Sequence, residues 1–261
     1  MNAGAGSLRG ERSTGRRSAS AEHRFYTSFT ILLAAALVLG FARTFFLRPW
    51  YPEWTQVHAP PEPYFLFHGF TFALWFAVLL AQPALVASGR LDLHRRLGTF
   101  GGALAAVMVV VGTIGALIAA RRPSGFVDVP VPPLQFLVVP LAGLALFASL
   151  VALGILRRRD GQSHKRLMLL ASISLLGASI ARWPFDIVTA QLPIPWLSVG
   201  NIFQDAFLVP VVIWDLASRG RLHPVTLWGG LALIAEEPLA TVFAHTQAWL
   251  AFAGWAVSLL G

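Results

Sequence analysis

Ionisable and amide side chains recur at fixed spacings inside stretches that are otherwise apolar. Groups in such surroundings are costly to hold and mark function by default. His68, Phe72, Trp75, Leu79 and Gln82 fall within about 40° of one line when wound at 100° per residue. Asn201, Asp205, Leu208, Val212 and Asp215 form a counterpart stripe. In each stripe the end residues are 14 positions apart, about 21 Å along a helix, and they bracket an apolar middle. Two polar layers follow. The outer holds Arg43, His68, Arg182, Asn201, Gln204 and Asp205, and the inner holds Gln82, His94, His164, Arg166 and Asp215.

The outer layer has the chemistry of a small pocket in which Asp205, with Arg182 or Arg43, holds a ligand or relays a proton with His68. Its structural alternative is an Asp205–arginine pair and a His68 bonded to a backbone carbonyl, together closing the bundle end. His94 and His164 stand at helix starts, where snorkelling to phosphate headgroups accounts for them. A b-type haem needs two axial ligands on facing helices. His94 and His164 would supply them if their helices adjoin, whereas His164 and Met168, one turn apart, cannot both be axial to one haem. No cofactor is required by this pattern; electron transfer through haem or quinone is the alternative to ligand or proton handling. Glu236-Glu237 is a proton or cation carrier, or else a helix end at the outer headgroups, which Pro238 favours. No Gly-rich phosphate loop, metalloprotease histidine pair or Gly-x-Ser-x-Gly elbow is present, and no metal site is expected.

The elements that must position these groups are membrane spans. Of 261 residues, 56% are apolar and 12% charged, against about a quarter charged in a soluble domain. Runs of about 20 apolar residues suffice to cross a bilayer, and seven appear: Phe25 to Leu47, Tyr64 to Ser88, Leu97 to Ala120, Leu134 to Leu156, Leu167 to Trp183, Leu197 to Ala217, and Val225 to Ala244. Residues 1–24 read as a disordered basic tail, and 25–244 as the transmembrane domain. Residues 245–261 read as an interfacial helix on Trp249, Phe252 and Trp255, with an eighth span as the alternative. The expected fold is an all-α polytopic transmembrane bundle.

A net charge of +8 would suggest nucleic acid in a soluble protein, but its distribution reports topology. Fifteen Lys and Arg flank the spans on one side and five, Arg43, Arg48, Arg121, Arg122 and Arg182, lie on the other. The positive-inside rule puts the N terminus in the cytoplasm, with the basic turns on anionic lipid headgroups and no nucleic-acid partner. The absence of Cys excludes disulfides, thiolate metal sites and covalent c-type haem. The single Lys, Lys165, falls in a predicted loop and excludes a retinal Schiff base. Small residues Gly98, Gly102, Ala105, Gly112 and Ala116 give the third span a face for close helix approach.

Several motifs together resemble a family of bacterial predicted inner-membrane proteins of unknown function. They are Gly40-Phe41-Ala42-Arg43-Thr44; His68, Trp75 and Gln82; Gly89-Arg90; His94-Arg95-Arg96-Leu97-Gly98; and His164-Lys165-Arg166-Leu167-Met168. Ala181-Arg182-Trp183-Pro184, Gly220-Arg221-Leu222-His223-Pro224 and Trp228-Gly229-Gly230 complete the set. The resemblance implies a multi-pass protein of the bacterial inner membrane and carries no activity with it.

Overall fold

A computed structural model describes residues 4–57, 61–126, 129–185 and 199–260, with side chains from residue 20 onward except at 54, 56 and 57. Among the described residues every regular element is helical. In chain order they are α1 (Gly4–Phe41), α2 (Pro52–Val57), α3 (Pro63–Ala87), α4 (Leu91–Arg121), α5 (Pro133–Phe136) and α6 (Val138–Leu156). There follow α7 (Gly161–Ser174), α8 (Gly177–Ile180), α9 (Val199–Ala206), α10 (Leu208–Arg219), α11 (Pro224–Ala244) and α12 (Gln247–Ser258). α1 carries helix through the basic stretch expected as a disordered tail; without proline, that stretch lets a helix nucleated in the apolar run propagate. Residues 1–3, the side chains of Arg9, Arg12, Arg16 and Arg17, and the expected start of the sixth span at Leu197 lie outside the described residues.

Six stretches are long and apolar enough to cross a membrane: Ser20–Phe46, Pro63–Ala87, Leu91–Arg121, Pro133–Leu156, Val199–Arg219 and Pro224–Ala244. The remaining expected span, Leu167 to Trp183, is divided between α7 and α8 at Leu175 and Leu176, and neither piece has span length by itself. These two short helices nevertheless form the centre of the bundle. Leu170, Ala171, Ser172, Ile173, Leu176, Ser179 and Ile180 are fully buried, while Phe70, Val110, Ile213, Trp228 and Val242 turn large apolar side chains outward on the other helices. An apolar exterior around a partly polar centre is what a lipid solvent selects.

Prolines set the positions of two helix breaks. A proline has no N–H to donate to the carbonyl four residues earlier, so Pro140 leaves Phe136 unbonded and Pro210 leaves Ala206 unbonded. The breaks lie at Leu137, between α5 and α6, and at Phe207, between α9 and α10. Pro238 stands inside α11, where the same loss weakens the turn bearing Glu236 and Glu237 without ending the helix.

α3, α4, α6 and α7 pack in that order around one core, closed where the Trp75 indole donates to Ser172 Oγ at 3.1 Å and meets Phe147 edge-on at 5.0 Å. The small face of α4 works as its composition suggests: a Cβ on Gly112 would lie 2.8 Å from Leu144. α1 packs on α3 and α8, and α11 on α6 and α7. Midway along α1, Glu22 pairs with Lys165; further along, the Ala36 carbonyl accepts from Ser179 Oγ at 2.8 Å. Both contacts advance 14 residues on each partner, so α1 and the α7–α8 segment run parallel for about 21 Å.

α12 has 12 residues, about 18 Å, short of the roughly 30 Å hydrocarbon core, and it is not among the helices of span length. Its expected interfacial face is also corrected in part. Phe252 and Trp255 are exposed, but Trp249 is buried and donates its indole N–H to the Leu134 carbonyl at 2.8 Å. The small Ala253 and Ala256 beside it let the helix settle close enough for that bond.

Candidate functional site

The end of the bundle expected to face outward gathers polar groups from five helices. His68, on α3, stacks on Phe72 at 4.3 Å and 21°. Its ring lies 3.5 Å from where a Cβ of Gly115 would stand, so the absent side chain on α4 makes room for it. Arg182, just beyond α8, donates to the Ala178 carbonyl at 2.6 Å, holds its guanidinium 5.3 Å over the Phe41 ring, and is near enough to act electrostatically on His68. Arg43 sits in a π-turn, Ala42–Phe46, that continues α1. Gln204 places its side-chain oxygen Oε1 2.6 Å from the Cβ position of Gly177, a contact between α9 and α8.

Asp205 has different company from that expected. No ion pair joins it to Arg43 or Arg182 among the described residues. It lies instead within electrostatic reach of Glu236 and Glu237 of α11, and the Asn201 amide lies against the Glu237 carboxylate. The helix order accounts for this in part: α9 packs on α11 as well as on α8, which brings Asp205 near the α11 carboxylates. Glu236 and Glu237 are half-buried inside α11 rather than at a helix end. The Glu236 Oε1 atom is buried with no hydrogen-bond partner. Sequence spacing could place Asn201 and Asp205 one turn apart, but nothing in it pairs that helix with Glu237.

The opposite end is the more tightly bonded. Arg166 and Asp215 are fully buried and paired, Nε to Oδ1 at 2.9 Å with Nη2 on the same oxygen. Arg166 Nη1 donates to the Gln162 carbonyl at 2.9 Å and to its side-chain oxygen at 2.7 Å. The other Asp215 oxygen accepts from the His223 backbone N–H at 2.9 Å. The pair thus joins the start of α7 to the end of α10 and the turn into α11. Lys165 pairs with Glu22 and sits 4.7 Å over the Tyr26 ring.

His94 and His164, expected to face headgroups separately, meet: their ring centroids are 6.4 Å apart and their planes stand at 85°. His164 Nδ1 is 2.8 Å from the Gly154 carbonyl oxygen, His94 lies beside the Gln82 main chain, and His94 Nδ1 and Gln82 Oε1 are buried without hydrogen-bond partners. The Gly154 carbonyl carries no sequence signal, because its role depends on α6 packing against α7. Among the described residues no group of three or more His, Cys, Asp or Glu could hold a metal ion.

Comparison with protein-family models, with curated proteins and with solved structures finds no match to this chain.

Proposed function

We propose that the chain is a multi-pass protein of the bacterial inner membrane that takes up and releases a proton through its outer polar layer, as a sensor, carrier or accessory subunit. The observation that carries this reading is that Asp205, Glu236 and Glu237 lie within electrostatic reach of one another on helices of membrane-spanning length, with Glu236 Oε1 buried and unpartnered. Three carboxylates so placed cannot all be ionised without severe mutual repulsion and desolvation, so at least one holds a proton. His68 and Arg182 stand on the same level as a second polar group. The α9–α10 break at Phe207 and the Pro238-weakened turn put irregular backbone at this depth, as helices around membrane ion sites do.

Seven crossings with a cytoplasmic N terminus fit this reading. The α7–α8 segment supplies the seventh, its parallel course beside α1 supporting a full crossing, and the basic turns then lie together on anionic headgroups. Reporter fusions at Gly161 and Gly261 should fall on opposite membrane sides. The proton site itself is tested by infrared difference spectra of detergent-purified protein across a pH series. The expected result is a carboxylic C=O band that follows pH and is lost in Glu236→Gln or Glu237→Gln with the fold intact. A spectrum without such a band overturns the reading.

A further inference from the structure

We infer that His94 and His164 are a ligand pair for one iron tetrapyrrole at the inner end of the bundle, a site separate from the outer carboxylates. A metal-bound imidazole nitrogen lies about 2 Å from its metal. With the ring centroid about 1 Å further out, two imidazoles sharing one metal have centroids roughly 6 Å apart, and the observed separation is 6.4 Å. The rings come from α4 and α7, which face each other across the four-helix core.

Two further observations point to a ligand. The His164 Nδ1 contact with the Gly154 carbonyl is the outer-sphere bond that fixes tautomer and ring orientation in metal-binding histidines, leaving Nε2 free. His94 Nδ1 and Gln82 Oε1 are buried without hydrogen-bond partners on the same level, an arrangement that costs free energy when nothing binds there.

The class of group follows from the ligand count. Among the described residues no third His, Cys, Asp or Glu joins the pair, so most metal ions would be under-coordinated. A tetrapyrrole brings its own four nitrogens and asks for two axial ligands. Its carboxylate side chains would be met by the basic turns at this end, which hold Arg90, Arg95, Arg96, Arg157, Arg158 and Arg159.

The test uses the full chain expressed in a haem-competent bacterial host and purified in detergent. Oxidised and dithionite-reduced visible spectra, pyridine haemochromogen and metal analysis should give one iron tetrapyrrole per chain, six-coordinate and low-spin. His94→Ala and His164→Ala should each lower haem per folded chain at least tenfold, while His245→Ala, at the opposite end, keeps it. Should an alanine variant not fold, His94→Met and His164→Met decide: each keeps an axial ligand, so haem stays with an altered spectrum and a raised potential. The inference is overturned by protein that carries no haem and takes up none from added hemin. Haem unchanged in all four variants at His94 and His164, or copper or zinc in place of iron, overturns it equally. Because the carboxyl infrared band reads other residues, each proposal can fail while the other stands.

Discussion

Arg166 and Asp215 meet with both side chains fully withdrawn from solvent, and between them they satisfy groups from α7, α10 and the turn into α11. Removing one partner leaves the other charge buried and uncompensated, which costs about 3–5 kcal/mol where it has been measured. Asp215→Ala and Arg166→Ala should therefore each lower the thermal midpoint of detergent-purified protein sharply. Replacing both by apolar residues of similar volume should recover much of that loss. A double variant as unstable as the sum of the singles would show that the pair's other bonds, to Gln162 and His223, dominate.

The approach of α1 to α8 can be tested through a single methyl group. A Cβ on Gly40 would lie 2.1 Å from the Ser179 carbonyl oxygen, which is backbone and cannot step aside. At Gly154 the nearest atom, 2.2 Å away, is the end of the Met168 side chain, which can rotate. Gly40→Ala should thus lower folded yield far more than Gly154→Ala, although both look equally crowded by distance. Size-exclusion profiles of the two variants expressed in parallel check this.

These two positions also show what the sequence could and could not convey. Apolar runs, basic turns and the small face of α4 are properties of single segments, and six of the seven expected runs coincide with helical stretches of span length among the described residues. The histidine pair, the Asp205 neighbourhood and the Gly154 carbonyl depend on which helices adjoin, and one chain read alone does not contain that order. Pro140 and Pro210 break their helices by a local rule, whereas the α7–α8 division falls at two leucines with no local breaker of that kind. Trp249 reads as an interfacial aromatic until its N–H finds Leu134.

That last bond fastens the C-terminal helix. Trp249 combines a buried indole with one hydrogen bond, and the two contributions separate by substitution. Trp249→Phe keeps most of the apolar contact and loses the N–H donor, a change worth about 0.5–1.5 kcal/mol. Trp249→Ala also opens a cavity, bringing the cost to about 3–5 kcal/mol. Limited proteolysis should release α12 readily in the alanine variant and little in the phenylalanine one, with the core Ser20–Ala244 protected in both.

Asp160 is a titratable cap in the loop between α6 and α7. It is the N-cap of α7, accepting from Ser163 Oγ at 2.5 Å and from the backbone N–H groups of Gln162 and Ser163 at 3.0 and 3.3 Å. The Ser163 hydroxyl, then the Ser163 and Gln162 N–H groups, favour the ionised form and hold its carboxyl below the ordinary value, about 4 in an unfolded chain. With the folded value depressed, the stabilisation is complete above roughly pH 4 and fades as pH falls through the folded value. Asp160 is exposed, so solvent keeps the charge contribution small. Asp160→Asn retains a good cap but no titrating group, and its thermal midpoint should match the parent at neutral pH and decline less on acidification. Asp160→Ala should lose about 0.5–2 kcal/mol at neutral pH. An Asp160→Asn acid profile that superimposes on the parent's would place the acid sensitivity elsewhere.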